Sequence, residues 1–223
     1  NLIATLGGGY VDKLIWDNEL ITTYFQRNSQ LLATYKGNNS GTDLESELRS
    51  HTDYDYSRTS TISDIAMPAT PGINKRYYYF NQSHSATYNQ VFRVGKNGEL
   101  GINAAYLNDR DERSNQSVTT TLLPDGSKNV VDESFNGILH RNIANGNITY
   151  MQNTERNYIK EQLKFDWLST DGYSNIYAGE DIIQENNVEN YRLHNLFHLT
   201  SRTGSDKGVE FLSKINLEKK PHS

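Results

Sequence analysis

The sequence predicts an all-β fold, an antiparallel, long-stranded meander that forms part of a transmembrane β-barrel. Three observations predict it. Segments of about ten residues alternate between apolar and polar side chains, the period of a strand with two unlike faces. Turn-forming residues separate these segments at intervals. The chain is only 35% hydrophobic yet holds 15 Tyr and 7 Phe, a balance that fits half-polar strands and not a disordered chain, which would be poor in aromatics.

The clearest hairpin runs from Tyr77 to Asp109. His84, Ala86, Tyr88, Gln90, Phe92 and Val94 fall on one face, and Ser83, Ser85, Thr87, Asn89, Val91 and Arg93 on the other. Lys96-Asn97-Gly98 supplies the turn, because Asn-Gly readily takes positive φ. The return strand sets Leu100, Ile102, Ala104 and Tyr106 against Gly101, Asn103 and Ala105.

Taken in order, Gly7-Gly8-Gly9 lacks the spacing of a nucleotide loop and reads as a flexible turn or a close strand contact. Segments 19–25 and 30–36 form a hairpin about Arg27-Asn28-Ser29. Residues 37–76 form a long external loop region, with Thr42 or Asp43 capping a short helical signature that spaces Leu44 and Leu48 four apart. Residues 108–136 form an extended hairpin or loop, turning at Pro124-Asp125-Gly126. Asn145 to Gln152 leads to a turn at residues 153–156. The return to Ser169 puts Ile159, Leu163, Phe165 and Trp167 opposite Lys160, Gln162, Lys164 and Asp166, with Glu161 the exception on the apolar side. Thr170-Asp171-Gly172 opens a loop over 170–190, and a last hairpin pairs Asn190–Ser201 with Val209–Leu217. The rhythm counts to eight to eleven strands in a single barrel portion over 1–223.

Net charge is −5 and there is no cysteine, which argues against nucleic-acid binding and excludes disulfides and Cys-ligated metal. No apolar run reaches the roughly 20 residues of a transmembrane helix, a criterion that β-barrel strands never meet. Asn1-Leu2-Ile3-Ala4 has no basic n-region, and with no initiator Met the chain reads as an internal piece of a longer protein.

The candidate chemistry is sparse. His194 and His198 lie on a strand, roughly 13 Å apart at about 3.3 Å per residue, too far to share one metal ion. Asp109, Asp111 and Glu112 lack the spacing of a calcium loop and read as a solvated loop, as do Glu180, Asp181, Glu185 and Glu189. No nucleophile elbow or triad signature is present. The chain is therefore read as no enzyme, with no catalytic residue, metal or cofactor. Tyr77, Tyr78, Tyr79, Phe80, Tyr106, Tyr150, Tyr158, Trp167 and Tyr191 sit near strand ends and suit an aromatic girdle, although an ordinary β core also favours such residues. Tyr54, Tyr56, Tyr173 and Tyr177 fall in expected loops and are the candidate ligand-binding residues.

The phrases LLATYKGNN, YYYFNQSHSATYNQVFRV, ELGINAAYLNDRDER, ITYMQNTERNYIKEQLKFD and YRLHNLFHL resemble the barrel region of TonB-dependent outer-membrane receptors of the Bacteroidetes kind. The resemblance implies a 22-stranded barrel around an N-terminal plug, importing a scarce nutrient. Implied partners are outer-membrane lipid, a nutrient ligand and the TonB complex, reached through parts of a parent chain that this sequence lacks. Two rivals remain: a complete small outer-membrane barrel or adhesin, and a soluble carbohydrate-binding β-domain.

Overall fold

The computed structural model describes residues 1–45, 65–73, 80–202 and 207–219. Within them lie nine strands: β1 (Leu2–Val11), β2 (Lys13–Gln26), β3 (Ser29–Asn38), β4 (Phe80–Val94), β5 (Gly98–Leu122), β6 (Lys128–Asn153), β7 (Asn157–Tyr177), β8 (Asp181–Arg202) and β9 (Gly208–Lys219). They form one antiparallel sheet in chain order, β1 to β9, and the sheet does not close. Tyr54, Tyr56, Leu48 and Tyr77 to Tyr79 lie outside the described residues.

The alternation foreseen for β4, β5 and β7 is what the ladder uses. Because β-pairing keeps side chains of one parity together, register decides the content of each face. One row runs straight across the sheet: Leu2, Thr22, Ala33, Tyr88, Ala104, Gly146, Phe165, Leu193 and Leu217. A neighbouring row on the same face reads Tyr24, Leu31, Gln90, Ile102, Ile148, Leu163, Asn195 and Ile215. On the opposite face the corresponding row is Thr23, Leu32, Asn89, Asn103, Asn147, Lys164, His194 and Asn216. From β4 to β9 the sheet thus has an apolar face and a polar face.

The turns divide by end. Arg27-Asn28, Gly95 to Asn97, and Thr154 to Arg156 close one end, and Arg93 N–H, Asn153 N–H and Arg202 N–H each bond a carbonyl of the adjacent turn. The opposite end carries the long β3–β4 connection and the two hairpins β5–β6 and β7–β8. Strands β5 and β6 have 25 and 26 residues, roughly 80 Å at about 3.3 Å per residue.

Several expectations are corrected. In the β4–β5 turn the positive φ belongs to Gly95, while Gly98 is paired with Val94 as the first residue of β5. Gly98 is needed for space, since a Cβ there would meet the Val94 carbonyl oxygen at 2.5 Å. Gly7-Gly8-Gly9 is a stretch of β1 paired with β2, and the chain turns instead at Asp12, with φ 54°. The hairpin expected over 108–136 with its turn at Pro124-Asp125-Gly126 is present, 108–122 and 128–136 being strand and the turn running from Leu123 to Ser127. There Gly126 has φ 82°, and Asp125 Oδ1 accepts hydrogen bonds from Ser127 N (2.9 Å) and Ser127 Oγ (2.6 Å). These bonds hold the Asp125 carboxyl below its ordinary pKa. The expected loop over 170–190 shrinks to residues 178–180, the rest being β7 and β8.

Gly98→Ala should therefore lower unfolding stability by about 1–3 kcal/mol through overpacking, and Gly126→Ala by about 1–2 kcal/mol through left-handed strain. Gly9→Ala, which meets nothing within 4 Å, should be neutral within about 0.5 kcal/mol. Denaturant titration of the three variants measures the ranking.

Candidate functional site

The polar face holds a connected network where the β3–β4 connection leaves and returns. Asn38, at the end of β3, turns the chain back on itself: its Oδ1 accepts Ser40 N–H (3.3 Å) and Thr42 N–H (3.2 Å). This side-chain mimicry of a backbone turn is a habit of Asn. Asn81 on β4 bridges the turn to the sheet, accepting Gly41 N–H (2.9 Å) and donating to Asn38 Oδ1 (2.9 Å) and Ser83 Oγ (2.7 Å). Ser83 donates to Asp109 Oδ1 (2.5 Å), and Arg141 spans Asp109 (2.5 Å) and Glu45 (2.6 Å). The chain of bonds runs from the connection through β4 and β5 to β6.

Burial makes these bonds count. Asp109 and Asp111 are 3% and 2% exposed, and an unpaired charge there would be costly. Arg141 answers the first, and Arg113 the second at 2.5 Å. The reading of Asp109, Asp111 and Glu112 as a solvated loop is thus corrected. All three are in β5, two of them buried in ion pairs, while Glu112 faces the other way and pairs with Arg110 at 3.3 Å.

An apolar patch lies beside this network. Leu44 follows Asp43, whose Oδ1 accepts Glu45 N–H at 3.1 Å, and forms one buried cluster with Ala105, Leu107 and Ile143, against which Leu168 packs. All four are polar-face positions of β5, β6 and β7 that carry apolar side chains. Farther across, the returning limb of the connection seats residues 65–68. A Cβ on Gly172 would lie 2.2 Å from Ile65 Cδ1, and one on Gly137 would lie 2.6 Å from Met67 Sδ. Ala66 N–H bonds Gln184 Oε1 on β8 (3.3 Å). Both limbs of the connection are thus seated on the polar face, one by polar bonds and one in glycine notches.

The apolar face ends in aromatic residues whose polar tips point out of it. Tyr35, Tyr106, Trp167 and Tyr191 share one row. Tyr35 Oη meets His84 Nδ1 (2.8 Å), Tyr106 Oη donates to Asn142 Oδ1 (2.9 Å), and Trp167 Nε1 donates to Glu189 Oε1 (3.1 Å). His84, Asn142 and Glu189 all belong to the next row toward the hairpin end. At the turn end Tyr150 Oη donates the other way, to Gln152 (3.3 Å). Tyr158, expected with these residues, lies instead on the polar face against His198, ring centroids 5.4 Å apart.

Polar groups inside the apolar rows are also bonded. Gln90 takes Tyr88 Oη and donates to Ser29 Oγ (3.2 Å), and Glu161 accepts from Asn195.

Of the candidate ligand tyrosines, Tyr173 and Tyr177 are strand residues of β7, on the same parity as Phe165 and Trp167 and toward the hairpin end. They stand on the side away from the polar network. His194 and His198 occupy the polar face with separate partners, Asn216 and Glu210. Among the described residues no three His, Asp or Glu side chains converge on a point. Comparison with protein-family models and with curated proteins finds no match.

Asp109→Ala would leave Ser83 and Arg141 without their shared buried acceptor. It should cost about 3–5 kcal/mol, with Asp109→Asn retaining part of that. Lys219→Ala, removing an exposed pair with Glu189 (3.3 Å), should cost no more than about 1 kcal/mol. Denaturant unfolding of the variants compares them directly.

Proposed function

We propose that this chain is a barrel segment of a TonB-dependent outer-membrane receptor that imports a nutrient ligand. In this reading the apolar rows face lipid, the polar face lines the lumen, and the hairpins β5–β6 and β7–β8 extend beyond the bilayer as ligand-contacting elements. The work is passive positioning, and no catalytic residue is required. Energy would arrive from the TonB complex through parts of the receptor outside this chain.

The observation that carries the reading is the directed aromatic rows. Tyr35, Tyr106 and Trp167 send their polar tips one way and Tyr150 sends its tip the other, so the apolar rows between them are bounded on both sides. Amphipathic rings take this orientation at the two interfaces of a membrane. From Ile159 to Trp167 the enclosed stretch is about nine residues, close to the roughly 9–11 that a spanning strand needs. Large apolar side chains on it are open, among them Phe165, Ile148, Phe211 and Leu217. In water such a continuous patch would call for a covering layer.

The open sheet favours a portion of a larger barrel over a complete small one. Strands β1 and β9 do not pair with each other, and in hydrocarbon each edge needs a hydrogen-bonded neighbour. Further strands of the receptor would supply them. The wording of the segments in β3 to β8 resembles that of Bacteroidetes-type receptor barrels and supports this family over other outer-membrane proteins.

Phe165→Arg should destabilise the lipid-reconstituted protein by about 2–4 kcal/mol, while Lys164→Glu on the opposite face should change it by less than about 1 kcal/mol. Folding titrations in bilayers measure both. A monodisperse, β-rich chain in plain buffer, indifferent to detergent, would overturn the reading in favour of a soluble β-domain.

A further inference from the structure

The patch under Leu44 is unusual for its surroundings. Its row on the polar face reads Lys36, Ser85, Leu107, Ile143, Leu168 and Asn190, so three aliphatic side chains interrupt a run of polar positions. Ala105 on the next row enlarges the floor. Leu107 is completely buried, and among the described residues the side chain that packs with this floor from outside the sheet is Leu44, carried on the β3–β4 connection.

Polar groups frame that floor. On one side stands Arg141, whose guanidinium is shared between a wall carboxylate, Asp109, and the carboxylate of Glu45 beside Leu44. On the other side Asn190, directly opposite Leu168, is 8% exposed, and its Oδ1 is buried without a hydrogen-bond partner. A ligand fitting this frame would offer an aliphatic side chain, a carboxylate for Arg141 and an N–H for Asn190. An extended acidic-aliphatic peptide carries all three.

We propose that the floor of Ala105, Leu107, Ile143 and Leu168, with Arg141 and Asn190 at its rims, is a binding site for a peptide bearing an aliphatic residue followed by an acidic one. Leu44-Glu45 occupies it in cis as an internal pseudo-ligand and holds it closed. The division of labour at Arg141 makes exchange feasible: Asp109 belongs to the wall and stays, so the guanidinium keeps an anion when Glu45 leaves. The limb bearing Leu44 is joined to the sheet by the hydrogen-bonded turn of Asn38 to Thr42. The second limb is seated separately, by Ile65 and Met67 over Gly172 and Gly137.

The site follows from the polar face alone and goes beyond the transport reading. Its test in detergent micelles does not depend on lipid insertion. The probe is the labelled peptide acetyl-Asp-Leu-Glu-amide, titrated by fluorescence polarisation against the full chain, with amide exchange across β5–β6 reporting that the sheet is intact. The Leu44→Ser/Glu45→Gln variant should bind the probe at least ten-fold more tightly than the parent chain. Adding Arg141→Met should reverse that gain ten-fold or more. If Arg141→Met disturbs the ladder, Leu168→Glu serves instead, repelling the probe's carboxylate from the same floor. Equal affinity of the parent and the double variant, or a gain that survives the change at Arg141 or Leu168, would overturn the proposal.

Discussion

Where Tyr88 of β4 stands opposite Ala104 of β5, and Thr87 opposite Ala105, the hydrogen-bond ladder decides which side of the sheet each residue occupies. The same parity carries through all eight pairings. A slip by one residue anywhere would move a strand's apolar set to the polar face and its charges to the apolar one. Register is therefore the constraint on which the two-faced sheet rests. Its turns are built to hold it: Gly98 fits against the Val94 carbonyl, and Gly126 takes the left-handed conformation that closes β5 on β6. The β-bonds extend well past the apolar rows, so the long hairpins are a continuation of the same ladder.

With register fixed, the two faces meet different demands. Within the apolar rows, polar groups such as Glu161 and Asn195 are bonded to one another. On the polar face the carboxylates of Asp109 and Asp111 are deeply buried. Arg141 and Arg113 supply the matching charges. The β3–β4 connection brings its own apolar side chains, Leu44 and Ile65, and the sheet receives them with aliphatic residues in one place and glycine in the other. Seating the connection and satisfying the buried charges are one structural problem, solved by one network.

The faces of β4, β5 and β7 were legible from the sequence because a period of two is a local signal. The turn at Pro124-Asp125-Gly126 was legible for the same reason. What escaped were residues whose role is set far away along the chain. Thr170-Asp171-Gly172 has the composition of a turn, but Gly172 is small because Ile65 takes the space of its Cβ. Asp109 and Asp111 look like loop acids when Arg141 is out of view. A signal was nevertheless present: they share parity with Ser83, Ser85, Ala105 and Leu107 across the β4–β5 pairing, which continues the strand beyond the expected boundary at residue 108. Tyr173 and Tyr177 look like loop residues because they follow the same turn-like composition at Thr170-Asp171-Gly172.

The central claim, that alternate residues face lipid and a water-filled lumen, is tested most directly by single-cysteine scanning from Ile159 to Trp167. The natural chain has no cysteine, so each introduced thiol reports alone. In lipid-reconstituted protein, positions 160, 162, 164 and 166 should react with a membrane-impermeant maleimide. Positions 159, 163, 165 and 167 should resist it, and labels placed there should be quenched by lipid-borne quenchers. Uniform reactivity at all positions, or no period-two contrast in lipid quenching, would contradict the account.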